Sequence, residues 1–527
     1  MARKLSLRKC AIEMLESRCF LSAQGVASPQ LVVMHAASVT NPDPIGYTPA
    51  EIRAAYGFDQ VAYNGAGQTI AIIDAFNDPN IAADVATFSR QFGLPQFNVP
   101  GGPTLRVESQ TGSTTVLPKT DGDWSQEIAL DVEWAHAIAP GANILLVEAN
   151  SDNFSDLLLA TNHAKVQPAV SVISVSWDGD EFRSETSWDP AFLARRGHIG
   201  QTFVAAAGDD GSPAEWPAVS PFVLSVGGTS LNLVDGAYAG ESGWSGTSGG
   251  VAQFESEPSF QSHLQSTGWR AAPDVAFDGD PDTGVAVYNS VPNSVGIGWA
   301  EIGGTSAGAP QWAALIAIAD QGRVQHGLGT LSNAQSILYN LPATDFHDIT
   351  LGGNGVYPAG PGYDAVTGLG SPLANLVIQH LVGGVPPGAG PPVSDNTGVV
   401  KIGVWISRDP LPTAAAAFIG VRSTVALPFG SEVFNAWPRN SVIPSVATTH
   451  PPGFDPDAQT RSEAGPPTRD LFAPANDSGV LGRDNAAPVA SWADGIAQAS
   501  LDVAIDDGLE PVFEVLTEGW SSRFSVP

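Results

Sequence analysis

Residues 68–74 read QTIAIID, and this run decides the fold. From Thr69 to Ile73 it is nearly all apolar, with no alternation of polar and apolar positions. That is the pattern of a parallel strand covered on both faces. Upstream, Thr48-Pro49-Ala50-Glu51 predicts a helix through Tyr56. Thr48 would be the N-cap, Pro49 the first helical residue and Glu51 the reciprocal capping partner. Downstream, residues 77–92 read as a helix, and 124–138 as a helix capped by Asp121 or Asp123. Strand 143–147 and helix 156–165 follow, then strands at 170–176, 203–207 and 222–226, and a closing helix over 372–382. Strands alternating with helices predict an α/β fold, a parallel sheet with helices on both faces. No internal repeat interrupts this order.

Composition excludes several function classes. The chain has 527 residues, with 54 Asp plus Glu against 23 Lys plus Arg and a formal charge of −31. Such acidity argues against nucleic acid or an anionic membrane as the main partner. Apolar content of 43% is ample for a large core, which excludes wholesale disorder. Two cysteines cannot staple so long a chain. No apolar run is long enough to span a membrane.

The charge is uneven, and it outlines the domains. Residues 1–23 carry five basic side chains and two acidic ones, and they hold both cysteines, Cys10 and Cys19. This basic leader reads as an export segment. Its stretch MLESRCFLSA, residues 14–23, resembles the leader of many large exported bacterial proteins, which implies an extracellular or cell-envelope location. Residues 24–45 are polar and read as a flexible segment leading into the main domain, residues 46–382. Residues 383–395, GGVPPGAGPPVSD, are a Pro/Gly linker by composition. Residues 396–527 form a C-terminal extension of unknown role, with candidate strands at 399–407 and 418–427.

Two motifs carry chemistry. Residues 301–319 read EIGGTSAGAPQWAALIAIA. A Gly-rich turn delivers Ser306 to the start of an apolar helix, where backbone N–H groups and the helix dipole can face a developing oxyanion. The plainer reading is a serine capping a buried helix. A serine nucleophile needs a base and a group to orient it. No histidine has an obvious setting as that base, since His136 sits mid-helix in WAHAIAP and reads as structural. The second motif is QEIALDVE, which places Glu127 and Asp131 four apart on one helix face. Two such carboxyls can share a proton, which raises one apparent pKa. A solvated acidic face is the plainer reading here too, and Glu133 reads as part of it.

Together these motifs carry a resemblance. GTSAGAP around Ser306, the EIALD pair, WAHAIAPGANI and AAAGDDGS around Asp209 resemble the sedolisin family of serine-carboxyl peptidases, which has a subtilisin-like fold. YTPAEIRAAYGF, VISVSWDGDE, WPAVSPFVLSVGGTSL, SGGVAQF and RAAPDVAFDGDP extend the match in order over residues 46–382. The resemblance implies an endopeptidase for polypeptide substrates. Ser306 would be the nucleophile, Glu127 the general base and acid, and Asp131 the group orienting Glu127. Asp209 would be the oxyanion stabiliser. Ser176, Trp177, Ser248, Gly249 and Gly250 would bind substrate, with the glycines letting an extended peptide approach the backbone. The segment HDITLGGNGVYPAGPGYDAVTGLGSP, residues 347–372, is similar to the family's calcium site. It implies one structural Ca²⁺ on the carboxylates of Asp348 and Asp364 and the carbonyls of Ile349, Gly360 and Gly362. The oxygen-rich composition suits that ion.

The chemistry agrees with an acidic optimum. Asp209 can donate to an oxyanion only when protonated. The chain departs from the family in two places. Only about 22 residues separate the leader from the domain, where family members usually carry a long prodomain, and Asp210 stands where Ser is common. Two other readings remain open. One is a subtilisin-type peptidase using Asp74, His136 and Ser306. The other is a non-catalytic exported binding protein that retains the fold. A monomer is expected.

Overall fold

The computed structural model describes residues 25–35, 43–194, 200–294 and 296–383, and four strands at 402–407, 418–423, 512–517 and 520–525. The chain divides into two compact units, Met1–Pro392 and Val393–Pro527. The leader over 1–23 lies outside the described residues, as does nearly all of the linker over 383–395.

Two short strands open the first unit, β1 (Ser28–Pro29) and β2 (Val32–His35). They overturn the expectation of a flexible 24–45 segment for residues 25–35. β1 pairs antiparallel with Trp177–Asp178, and β2 with residues 301–303. The β-branched and apolar run Leu31-Val32-Val33-Met34 has strand propensity, and the partner that satisfies its backbone lies almost 270 residues away. Helix α1 (Pro49–Ala55) starts at Thr48, whose backbone N–H donates to Glu51 at 2.9 Å in the capping box read from the sequence.

The decisive strand is β3 (Thr69–Ala75), followed by α2 (Ile81–Phe92), β4 (Leu105–Ser109) and α3 (Gly122–Ile138). Helix α2 begins four residues later than expected, after Asn80. Next come β5 (Asn143–Ala149), α4 (Phe154–Lys165), β6 (Val170–Val175), β7 (Trp177–Asp178) and β8 (Thr202–Ala206). Strand β9 (Val223–Val234) runs well past the expected 226 and turns into β10 (Ala237–Gly243). The main sheet has the order β10-β9-β8-β6-β3-β5-β4. β3 lies between β5 and β6, parallel to both. Only β10 is antiparallel within this path.

β3 shows why its sequence is apolar throughout. Ile70 and Ile72 enter one core with residues of α3 and the long helix over 305–325, whereas Ala71, Ile73 and Ala75 enter a second core with α4. Each fully buried isoleucine contributes about 2–3 kcal/mol of apolar transfer, and a one-residue slip would carry Ile70, Ile72 and Asp74 to the opposite face, so side-chain size and the place of Asp74 both fix the register.

No strands are expected from the sequence between 227 and 303, yet that region is largely antiparallel sheet. It contains β11 (Gly250–Ser256), β12 (Trp269–Ala272), β13 (Val275–Asp278), β14 (Val285–Asn293) and β15 (Gly296–Gly303). β15 leads through Gly304 into α5 (Thr305–Gln325). β16 (Phe346–His347) pairs with β17 (Ser371–Pro372) and clasps the ends of the 347–372 loop. The closing helix (Ala374–Gly383) follows. In the second unit Ile402–Ser407 pairs antiparallel with Phe418–Ser423, and Val512–Thr517 with Trp520–Ser525.

Candidate active site

The carboxyl ends of the central parallel strands define the site, as in open α/β sheets generally. Asp74 lies near the end of β3, Ser176 directly follows β6, and Asp209 comes three residues after β8. Ser306 faces them from the first turn of α5, and α3 supplies Glu127 and Asp131.

Helix α3 is enclosed rather than amphipathic. From Trp124 to Ile138 every residue is buried. Asp121 caps the helix, its carboxylate accepting from the N–H groups of Asp123 and Trp124 at 3.2 Å each. The solvated acidic face is therefore overturned. Glu133, read as part of it, is fully buried, and its Oε2 accepts from the Tyr288 N–H at 2.9 Å.

Glu127 and Asp131 are both fully buried. Burial, then the Asp131 and Asp74 charges, push the Glu127 carboxyl well above the ordinary carboxylate range, against an opposing pull from the neighbouring Ser306 hydroxyl. Asp131 is raised chiefly by burial and by Asp74. Its Oδ1 accepts from the Ser176 hydroxyl at 2.9 Å. Burial pushes Asp74 up to about 7, and neither of its carboxyl oxygens has a hydrogen-bond partner among the described residues. Three acids thus crowd one dry space with no nearby cation to settle them. Their cheapest state carries protons.

On the other side of Ser306 stands Asp209, raised to about 7 by burial against the opposing bonds from Thr305. Its Oδ1 accepts from the Thr305 N–H at 2.8 Å and from the Thr305 hydroxyl at 2.9 Å. Its Oδ2 is buried and unpartnered. Gly304 has φ of +107°, and a Cβ there would collide with Asp209 Oδ2 and with the carbonyl oxygen of Gln30. The glycine therefore opens one small space shared by a carboxyl and a peptide carbonyl. The Ser306 N–H donates to that same Gln30 oxygen at 3.1 Å. The Ser306 hydroxyl makes a long 3.4 Å bond to the Ser176 carbonyl and completes none to Glu127.

His136 is placed elsewhere. It is nine residues along α3 from Glu127, about 13 Å at the helical rise. Its Nε2 lies 2.8 Å from the Pro95 carbonyl and its ring packs at a tilt against Phe97. Burial lowers it to about 4.

The structure divides the expected substrate contacts. The backbone of Trp177 pairs with Pro29, but its side chain is fully buried in the second core, with Nε1 donating to the Ile73 carbonyl at 3.0 Å. The Ser248 hydroxyl donates to Glu215 at 2.6 Å and accepts from the Asp210 N–H at 3.1 Å. Gly249 and Gly250 are approached closely, but by the chain itself. A Cβ on Gly249 would collide with the Ala365 carbonyl, and one on Gly250 would stand 2.8 Å from the Tyr357 ring. Their small size seats the 347–372 loop.

Sequence reasoning missed Gln30, Asp178 and Glu215. Asp178 and Glu215 are buried beside Gly208, whose Cβ would collide with Asp178 and come within 2.8 Å of Glu215. Asp178 is visible in SVSWDG, but nothing in its spacing sets it apart from a surface acid.

In the 347–372 loop, Asp348 Oδ1 accepts from the Gly362 N–H and Asp364 Oδ2 from the Gly360 N–H, each at 2.9 Å. Asp364 Oδ1 also accepts from the Val366 and Thr367 N–H groups at 2.8 Å. No group of three or more His, Cys, Asp or Glu side chains suited to a metal occurs among the described residues. A cation here would thus depend on carbonyl oxygens besides the two carboxylates. That all-oxygen donor set, with no Lys or Arg in the loop, fits a hard cation.

Comparison with known proteins agrees with this geometry. Residues 115–340 match the subtilase family. Kumamolisin from Bacillus sp. (strain MN-32) is 34% identical over 379 residues, covering 64% of this chain and 64% of that protein. Sedolisin from Pseudomonas sp. (strain 101) is 28% identical over 371 residues, covering 62% of this chain and 60% of that protein. The chain thus spans less than two thirds of the length of these curated relatives. The structure of Pseudomonas sedolisin complexed with two molecules of pseudo-iodotyrostatin matches with a TM-score of 0.55 at 28% identity, covering 64% of this chain and 98% of that one. In sequence and in its parallel sheet the chain is similar to these relatives, one of them a serine-carboxyl proteinase.

Proposed function

We propose that the chain is a serine-type endopeptidase that hydrolyses polypeptides in acid. The observation that carries this reading is the meeting of the Ser306 N–H and the space before Asp209 Oδ2 at one peptide carbonyl, with Glu127 beside the Ser306 hydroxyl. Ser306 attacks, and Glu127 takes its proton and later returns it to the leaving amine. Asp131, held by Ser176, orients Glu127. Asp209, neutral below about 7, donates to the oxyanion together with the Ser306 N–H. As pH rises through that value Asp209 ionises and repels the charge it should stabilise, so activity falls toward neutrality.

The loop carboxylates Asp348 and Asp364, with the carbonyls of Ile349, Gly360 and Gly362, are proposed to hold one structural Ca²⁺. The ion would tie the loop ends together and take no part in the chemistry. Export to the envelope or medium is proposed from the basic leader. The protein is proposed to act as a monomer. No helix among the described residues is long and apolar enough to cross a membrane.

The test is Glu127→Gln assayed on a denatured protein at about pH 4. A loss of roughly 10³-fold in kcat/KM is expected for removing a general base. Near-full activity would return the base to His136, a role its bond to Pro95 argues against. A wild-type chain inert across the acidic range would favour the non-catalytic reading instead.

A further inference from the structure

Asp209 stands on a short loop, residues 208–211, that lies outside every helix and strand. Gly208 and Gly211 take positive φ there, +110° and +79°. Thr305 holds the Asp209 carboxyl through Oδ1 and accepts from the Gly208 N–H at 3.0 Å. The rest of the loop backbone is held by residues 246–249. The Ser248 N–H donates to the Gly208 carbonyl at 2.7 Å, and the Gly249 N–H donates to the Gly211 carbonyl at 3.0 Å. In return the Gly211 N–H donates to the Gly246 carbonyl at 2.8 Å, and the Asp210 N–H donates to the Ser248 hydroxyl at 3.1 Å. The loop is thus gripped on both sides of Asp209, and a shift in 246–249 carries Asp209 with it.

The gripping segment is itself irregular, since β11 begins only at Gly250. Behind it lies Asn354, 4% exposed. The Asn354 Nδ2 donates to the Gly249 carbonyl at 3.2 Å. Its Oδ1 accepts from the Tyr357 N–H at 2.9 Å and from the Val356 N–H at 3.3 Å. These partners settle which end of the amide is which, because two N–H groups face Oδ1 and a carbonyl faces Nδ2. The Asn354 N–H also donates to the Tyr357 carbonyl at 3.1 Å. The amide is therefore fixed at both ends in a tight turn, and the same turn sets the Tyr357 ring against Gly250.

We propose that Asn354 is a positioning residue of the oxyanion site, acting through Gly249 and the 208–211 loop on Asp209. This rests on the peptidase reading above. An oxyanion donor is effective only where it meets the developing charge at hydrogen-bond distance. The Asp209 Oδ2 has no hydrogen-bond partner among the described residues, so its place depends on the backbone beneath it and on Thr305. Removing the Asn354 amide takes a donor from a buried carbonyl, and the segment moves or admits water to satisfy that carbonyl. The bonds at Ser248 and Gly249 pass the movement to the loop that carries Asp209. Asn354 touches neither the nucleophile nor the proposed proton-transfer pair.

Two inhibitors of the full chain, measured at about pH 4, separate this role from packing. A peptide aldehyde forms a tetrahedral adduct with Ser306 whose oxygen needs the oxyanion donors. The matching peptide alcohol keeps the side-chain contacts without that oxygen. In Asn354→Ala, kcat on a peptide substrate should fall about tenfold with KM changed by less than about twofold. The inhibition constant of the aldehyde should rise by the same factor, and that of the alcohol should stay within about twofold. Asn354→Ser keeps a short acceptor for the turn N–H groups but does not reach Gly249. It should show the same split with a melting curve near that of the wild type, which guards against a poorly folded alanine variant. Equal weakening of both inhibitors in the serine variant, a loss confined to KM, or unchanged kinetics would overturn the inference and leave the peptidase reading standing. A wild-type chain that neither cleaves the substrate nor binds the aldehyde would overturn both.

Discussion

The acids around Ser306 and the acids of the 347–372 loop are the same side chains in opposite settings. Asp74, Glu127 and Asp131 have no exposure, and five of their six carboxyl oxygens lack a hydrogen-bond partner among the described residues. Asp348 and Asp364 are lined by N–H donors from Gly360, Gly362, Val366 and Thr367. A bare carboxyl in a dry space binds a proton, because nothing else offsets the loss of water. A carboxylate already lined by N–H groups keeps more of its charge, and Asp364, though still raised by burial, has that burial opposed by three such bonds and one from the Thr367 hydroxyl. The first setting suits proton transfer and the second suits a cation. Position in the fold, not residue type, divides the two roles.

The largest effect that could break this contrast lies at Asp209. Asp209→Ala removes the proposed donor to the oxyanion and should lower kcat about 10²–10³-fold. Asp209→Asn keeps an N–H donor that no pH removes. It should retain more activity than the alanine variant, and its activity should no longer fall as pH rises through about 7. A pH–rate profile of the asparagine variant that still falls there would assign the limb to another group.

Stability should separate the two settings next. The interior carboxyls have folded pKa values above their unfolded ones: Asp74, Asp78 and Asp209 near 7, and Glu148 and Asp320 near 8. The folded state then binds more protons than the unfolded state between about pH 4 and 8, so stability falls as pH rises through that window. Each pKa unit is worth about 1.4 kcal/mol of preference. The loop works the other way, since a cation needs ionised ligands and loses to protons in acid. With a chelator present, Tm should decline steadily from about pH 4 to pH 8. Added Ca²⁺ should raise it by a few degrees near pH 6 and by much less near pH 4. Equal curves with and without the ion at pH 6 would remove calcium from the loop.

The parts legible from the sequence share a physical reason. Strand β3, the capping box at Thr48 and the Asp121 cap are local, so neighbouring residues settle them. Ser306, Glu127, Asp131 and Asp209 stand out because their motifs resemble a family; the fold brings Ser306 and Asp209 to the Gln30 carbonyl and Asp131 to the Ser176 hydroxyl. What fails is long-range. Glu133 looks solvated until α5 and β14 close over its helix. Residues 25–35 look loose until β7 and β15 supply partners. Gly249 and Gly250 look made for a ligand until Tyr357 and Ala365 arrive. None of these outcomes leaves a trace within ten residues of the position concerned.

Asp74 gives the smallest test, because it touches the proton-sharing group without touching substrate. Its charge helps raise both Glu127 and Asp131. Asp74→Asn removes that charge, so Glu127 should ionise at a lower pH and the acid limb of kcat/KM should move down. The movement should be less than one pH unit, because Asp74 is itself mostly neutral below about 7 and exerts little repulsion there. At the optimum, kcat should change by no more than a few-fold, since the side chain keeps its volume and had no hydrogen bond to lose. A hundredfold loss with an unshifted limb would instead make Asp74 part of the catalytic machinery. The three acids of the dry cluster would then have to be treated as a single unit, with no member merely tuning the others.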